Sequence, residues 1–187
     1  MEYVQPIKDV VKINEIKEKL KVKSERDLLL FVLGINTGIR ISDLLTLKVG
    51  DVWKEGSPKE FLCLWDDKSS DKKFHYLNTK VKTALNNYLH NQDLKDDDYL
   101  FKSKKVNQPI TRQQAYRIIN NAAKGVGVLG NMGTHTLRKT FGYHAYRKGI
   151  AISILKSVYN HTILNETLRY IGIDQNEEQH IKIDVNL

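Results

Sequence analysis

Cysteine occurs once in this chain of 187 residues, at Cys63, and proline three times. One thiol excludes an internal disulfide and a cysteine-built zinc site, and a reducing cytoplasm suits such a chain. No apolar run is long enough to cross a bilayer, which excludes a membrane partner of the spanning kind. The N-terminal MEYVQPIKDV lacks the apolar centre of a signal peptide, so export is not expected. No repeat, low-complexity tract or Pro/Gly-rich linker divides the chain, whose length suits one domain with a real core. Cys63 itself lies in the apolar run FLCLW, where a buried, inert thiol is the expectation.

Positive charge is what the chain has in excess: 30 Lys and Arg against 22 Asp and Glu, or +8. The last fourteen residues, DQNEEQHIKIDVNL, hold four acids and one lysine, a balance of −3 that leaves +11 on residues 1–173. An excess of that size on a small domain favours a polyanion as partner, nucleic acid first.

The apolar periodicity predicts mostly helix. INEIKEKL places Ile13, Ile16 and Leu20 on one face. Ser24 opens SERDLLLFVLGINTG as a capping box with Asp27, and Gly38 suits its end. A short helix over SDLLTLKV follows; EFLCLWDD and KKFHYLN then read as strands joined by the turn KSSDK. Five more helices are expected: TKVKTALNNYLHN, TRQQAYRIINNAAK capped by Thr111, THTLRKTFGYHAYRKG between Thr134 and Gly149, ISILKSVYN, and NETLRYIG capped by Asn165. Strands and helices do not alternate, so the expected class is α+β, mainly α, with one small antiparallel sheet.

Three separated segments hold residues suited to chemistry on a phosphate. In TGIRISDLLTLKVGDV, Arg40 follows a glycine stop and Asp43 comes three residues later. At the hairpin, Lys68 ends one strand while Lys72 and Lys73 lie across the turn. In the C-terminal third, His135 and Arg138 stand one turn apart at a helix N-terminus, which disfavours imidazolium and keeps His135 neutral. NHTILNETLRY then sets His161 nine residues before Tyr170. Two arginines can grip one phosphate, a tyrosine can attack phosphorus, and a lysine can protonate a leaving oxygen. Histidines can move a proton or donate to developing charge. No carboxylate cluster accompanies them, so neither a metal nor another cofactor is expected, and the arginines supply the positive charge.

In order and spacing these segments resemble the catalytic domain of tyrosine recombinases, the phage integrase family. TGIRISDLLTL is similar to the family's first arginine box, DDKSSDKKFHYLN to its lysine hairpin, and HTLRKTF to its H-x-x-R box. NHTILNETLRY is similar to the box that ends in the nucleophile, with Thr167 at the usual threonine position. The resemblance spans residues 24–173. It implies a site-specific recombinase in which Tyr170 forms a 3′-phosphotyrosine bond and releases a 5′-hydroxyl. Arg40 and Arg138 would hold the scissile phosphate, and Lys68 would be general acid to the 5′ oxygen. His135 would act as base or acid toward Tyr170, and His161 would hydrogen-bond the phosphate. Asp43 stands where the family more often has Glu and would brace the site through an arginine or His135.

Two departures stand out. Asn160 replaces the glycine that usually precedes the second histidine. Nor is there room before residue 24 for the N-terminal core-binding domain of the family. That leaves a catalytic fragment or a short stand-alone integrase, and the native-looking MEYVQPIKD favours the second. Residues 1–173 would then form one catalytic domain, with 174–187 a tail exchanged between subunits, its HIKIDV adding a strand or filling a groove. The implied partners are double-stranded DNA, further copies of the chain in a tetramer, and an accessory protein or separate DNA-binding domain. The implied location is the nucleoid of a bacterial cytoplasm. A plain helix-turn-helix reading of residues 112–148 explains the charge. Its connector is long for that motif's tight turn, and it leaves Arg40, Lys68, His161 and Tyr170 unexplained. A non-catalytic regulator derived from an integrase and a type IB topoisomerase-like enzyme would share the same residues.

Overall fold

Ser24 opens helix α2 (Glu25–Thr37) by accepting a hydrogen bond from the Asp27 amide at 3.4 Å. Only half of the expected capping box forms, because the Asp27 carboxylate turns to the Arg26 guanidinium at 2.7 Å. The computed structural model describes residues 4–66, 71–90, 92–104, 106–130, 132–133 and 135–173. Leu29, Leu30, Phe31 and Leu33 of α2 are fully buried, because α1 (Val10–Lys23), α5 (Thr79–Leu89) and α7 (Thr136–Arg147) pack around it. A run as evenly apolar as LLLFVLG belongs in such a central helix.

The other elements among the described residues are α3 (Ile41–Thr46), α4 (Val49–Val52), β1 (Trp53–Lys54), β2 (Ser57–Pro58), β3 (Phe61–Asp66) and β4 (Asp71–Tyr76), followed by α6 (Arg112–Lys124), α8 (Ile152–Tyr159) and α9 (Leu164–Tyr170). The mainly helical α+β class stands. In place of one small sheet there are two antiparallel pairs, β1–β2 and β3–β4; β1, β2 and α4 are too short to print a period on the sequence. Thr111 caps α6 as a full box, with bonds of 3.1 and 2.8 Å to and from Gln114. Asn165, by contrast, lies inside α9, which starts at Leu164. There the Glu166 carboxylate reaches back to the Thr162 amide at 3.3 Å and relieves the helix start in its stead. Helix α7 is preceded by His135 as its N-cap, and Thr134, the expected cap, lies outside the described residues.

Strands β3 and β4 pair from Phe61↔Tyr76 to Asp66↔Asp71 and are covered on one face only. Leu62 is buried, whereas Phe61, Trp65, Phe74 and Tyr76 are exposed. Cys63 falls on the open face and is exposed, which corrects the expectation of a buried thiol. FLCLW alternates across a strand, and alternate residues of an uncovered ribbon face water.

One large apolar core unites α1 to α6 with Leu137 of α7. A second, smaller cluster lies under α8 and α9, where Leu155, Tyr159, Ile171 and Ile173 pack against Phe141 and Tyr143 of α7. Gly142 makes that packing possible, since a Cβ there would collide with the Tyr159 hydroxyl and approach Ile171 Cγ2 to 2.6 Å.

Candidate active site

Helix α2 stops at Gly38, whose φ of +66° is a left-handed conformation that glycine adopts without strain. The reversal delivers Arg40 to the start of α3, half-buried, with Asp43 Oδ2 3.9 Å from its guanidinium. Of the two partners expected for Asp43, the arginine is the one it meets. The Gly38 carbonyl also accepts a hydrogen bond from Arg138.

Arg138 enters from α7 and is only 7% exposed. Its second nitrogen donates to the Val158 carbonyl at 3.1 Å, and its guanidinium lies 4.5 Å over the Tyr159 ring. The Tyr159 hydroxyl donates in turn to the Arg138 carbonyl at 2.9 Å. A planar cation held by two peptide oxygens and an aromatic face is oriented before any anion arrives. Together Arg40 and Arg138 line a pocket of about 350 Å³ whose other polar walls are Asp43, Asp66, Lys73 and His75.

Tyr170 stands at the end of α9, half-buried, with its hydroxyl 3.3 Å from His135 Nδ1. The Arg138 guanidinium acts on the same phenol and favours its ionised form. The rings of Tyr159 and His161 flank it at 5.2 and 5.1 Å, and the Lys139 ammonium lies 5.1 Å from its ring centre. Burial pushes the Tyr170 phenol above its ordinary value, and the charges of Arg138 and Arg40 partly offset this. His135 is held below its ordinary value, first by desolvation and then by Arg112, Lys139, Arg138 and Arg40. The pair is therefore a neutral phenol facing a neutral imidazole. His161 is arranged differently: Nδ1 lies 3.0 Å from the Thr167 hydroxyl and Nε2 3.8 Å from Glu166. Desolvation also lowers its imidazole, against the Glu166 carboxylate.

The structure thus brings Arg40, Asp43, His135, Arg138, His161 and Tyr170 together from three segments of the chain, at α3, at α7 and across the turn into α9. Lys68 lies outside the described residues. Several neighbours were not expected. Lys73 and His75 face the pocket from β4, and the register Leu64↔Lys73 and Leu62↔His75 puts both on the covered face. The period-two pattern running back from Leu77 held that signal. Desolvation lowers the His75 imidazole, and the Thr37 backbone opposes the shift. Nothing local in the sequence marks the roles of Tyr159 and Lys139, which arise from packing between helices. Arg147 and Lys148, at the basic end of α7, are exposed. Among the described residues no three His, Cys, Asp or Glu gather as ligands of a metal ion would. No described helix is long and apolar enough to cross a membrane.

A family model described as the phage integrase family matches residues 6–177. The chain is 43% identical over 175 residues to "Probable integrase/recombinase YoeC" of Bacillus subtilis (strain 168), covering 94% of this chain and 93% of that protein. It is 29% identical over 176 residues to "Tyrosine recombinase XerC" of Thermodesulfovibrio yellowstonii, covering 90% of this chain and 57% of that one. The fold resembles a crystal structure of XerA recombinase, with a TM-score of 0.75 at 21% identity, covering 94% of this chain and 62% of the other. It also resembles the catalytic domain of bacteriophage HP1 integrase, with a TM-score of 0.61 at 18% identity, covering 93% of this chain and 91% of that domain. The chain thus spans nearly all of the Bacillus protein but little more than half of the recombinase from Thermodesulfovibrio.

Proposed function

The chain belongs to the phage integrase family, and from that membership we propose that it cleaves and rejoins DNA at specific sites through a covalent 3′-phosphotyrosine intermediate. It is a tyrosine recombinase, and residues 1–173 are its catalytic domain. The observation that carries this reading is the Tyr170 phenol lying between His135 Nδ1 and the buried Arg138.

In the cleavage step the Tyr170 oxygen attacks the scissile phosphorus. The phenolic proton passes to His135, whose neutral imidazole can accept it. A phosphorus–tyrosine bond forms at the 3′ side as the bond to the 5′ oxygen breaks, and Lys68 protonates that oxygen as it leaves. Arg40 and Arg138 neutralise the non-bridging oxygens, and Asp43 steadies Arg40. His161 contributes a hydrogen bond to the phosphate from beside Tyr170. Rejoining reverses each transfer, with the 5′-hydroxyl of a partner strand as nucleophile. Double-stranded DNA is the substrate, and the +11 carried by residues 1–173 suits it. Exchange needs two duplexes, so the chain acts as a tetramer on DNA. Residues 174–187, which lie outside the described residues, dock on a neighbour, and a separate DNA-binding segment or accessory protein completes the grip.

The test is covalent trapping on a nicked duplex that loses its 5′ fragment after cleavage. A denaturant-resistant adduct is expected to form equally with and without EDTA, because arginines supply the charge. No adduct, or one that requires added magnesium, overturns the reading. Recombination between paired sites then separates exchange from simple relaxation.

The same assay reads the base. His135 titrates below the ordinary imidazole value of about 6.5, so the neutral, accepting form persists from alkaline pH down past neutrality. Single-turnover cleavage is expected to stay level from about pH 8 to 6.5 and to fall only at lower pH. A decline already centred near pH 7.5 assigns the base elsewhere.

A further inference from the structure

Asn160 occupies a left-handed turn between α8 and α9, with φ 58° and ψ 39°. Glycine would meet that backbone requirement at lower cost, so the turn alone does not call for a side chain. Here both halves of the carboxamide are used. Its amide nitrogen donates to Asp66 Oδ2 at 2.7 Å, and its oxygen accepts from the Lys73 ammonium. Lys73 and Asp66 close the ring at 2.6 Å. Asp66 is 8% exposed, so this is a half-buried cycle in which each donor meets an acceptor.

The cycle joins two parts of the site that no stretch of sequence connects. Asp66 ends β3 at the last register pair of the hairpin, two residues before Lys68 along the chain. On the other side, Asn160 immediately precedes His161 and follows Val158, whose carbonyl holds Arg138. Because Lys73 and Asp66 also line the arginine pocket, the cycle fixes the distance between hairpin and phosphate site. We propose that Asn160 is a positioning residue for cleavage, its carboxamide setting the end of the β3–β4 hairpin against the phosphate pocket. The proposal rests on the reading of Lys68 as general acid.

The experiment compares Asn160→Gly, Asp66→Ala, their double variant and Lys68→Ala in single-turnover cleavage at saturating protein. Each is run on the ordinary substrate and on one with sulfur at the 5′ bridging position, a leaving group that needs little proton assistance. Asn160→Gly keeps the turn, so thermal unfolding and DNA affinity should stay near wild type. Its cleavage of the oxygen substrate should fall roughly 10- to 100-fold, the scale of a small misplacement. On the sulfur substrate most of that loss should disappear, as it does for Lys68→Ala. The double variant should be no slower than the slower single one. Wild-type speed in Asn160→Gly overturns the proposal, as does equal slowing on both substrates while Lys68→Ala recovers. If Lys68→Ala itself fails to recover, the general-acid reading falls. Asn160 is then judged by the double variant, where multiplied defects refute the tie and shared ones support it.

Discussion

Tyr170→Phe is expected to yield no denaturant-resistant DNA adduct while binding the nicked duplex with nearly wild-type affinity. The change removes one oxygen, and with it the only atom of the protein that bonds to phosphorus in the proposed reaction. What it leaves untouched is the positive charge that dominates DNA affinity: Arg40, Arg138, Lys139 and the basic surface keep their places. The ring remains to pack on Tyr159 and His161, at 5.2 and 5.1 Å. Tyr159 is the obvious substitute nucleophile in sequence, eleven residues earlier, and the structure makes it a poor one. It is 4% exposed, its hydroxyl already donates to the Arg138 carbonyl, and burial pushes its phenol far above the ordinary range. Tyr159→Phe should therefore retain adduct formation and lose about 1 kcal/mol of stability with its hydrogen bond. An adduct surviving in Tyr170→Phe and vanishing in Tyr159→Phe would exchange the two assignments.

Lys68→Ala carries the second large effect. If Lys68 protonates the 5′ oxygen, cleavage of the oxygen substrate should slow by roughly two to four orders of magnitude. The same variant should cut the 5′-thio substrate at close to the wild-type rate, because a thiolate leaves without that proton. Arg40→Ala and Arg138→Ala should show no comparable recovery, since the non-bridging oxygens need their charge whichever atom departs. Across the turn, Lys72 and Lys73 share a strand but not a situation. Lys72 is exposed and serves as the inert control. Lys73 lines the pocket, which makes it the genuine competitor, although its ammonium is engaged by Asp66 at 2.6 Å and by Asn160. A defect and rescue that follow Lys73 would move the acid five residues along the hairpin. Equal slowing of Lys68→Ala on both substrates would make Lys68 a DNA contact or a support of the fold, with another group supplying the proton.

Much of this was legible in the chain because it is local. Helix positions followed from apolar spacing, and Thr111, Gly38 and Gly149 mark ends through their own backbone chemistry. The order of the boxes around Arg40, Arg138, His161 and Tyr170 carried the family. What escaped is what depends on contacts between distant segments. Cys63 looked buried because a run of apolar letters does not say which face of a strand is covered. Asn165 looked like a cap because the sequence cannot show Glu166 reaching back to Thr162. Nothing local told Lys73 apart from the exposed Lys72 until the register placed it opposite Leu64 and inward. Asn160 looked like a flaw where glycine is usual. Its carboxamide has partners 94 and 87 residues away, at Asp66 and Lys73, and no local pattern announces partners at that distance.

The separate apolar cluster beneath α8 and α9 bears on motion as well as on packing. Opening those two helices exposes Leu155, Tyr159, Ile171 and Ile173 but leaves the main core around α2 intact. The free energy of such an opening scales with the small area uncovered, so it lies below that of global unfolding. The segment bearing His161 and Tyr170 is therefore expected to open at lower cost than the scaffold around α2, once its bonds to Arg138, Asp66 and Lys73 are released. In the proposed reaction the attacking residue becomes covalently tied to a DNA strand that must change partners, and the part expected to open most easily is the part that is tethered.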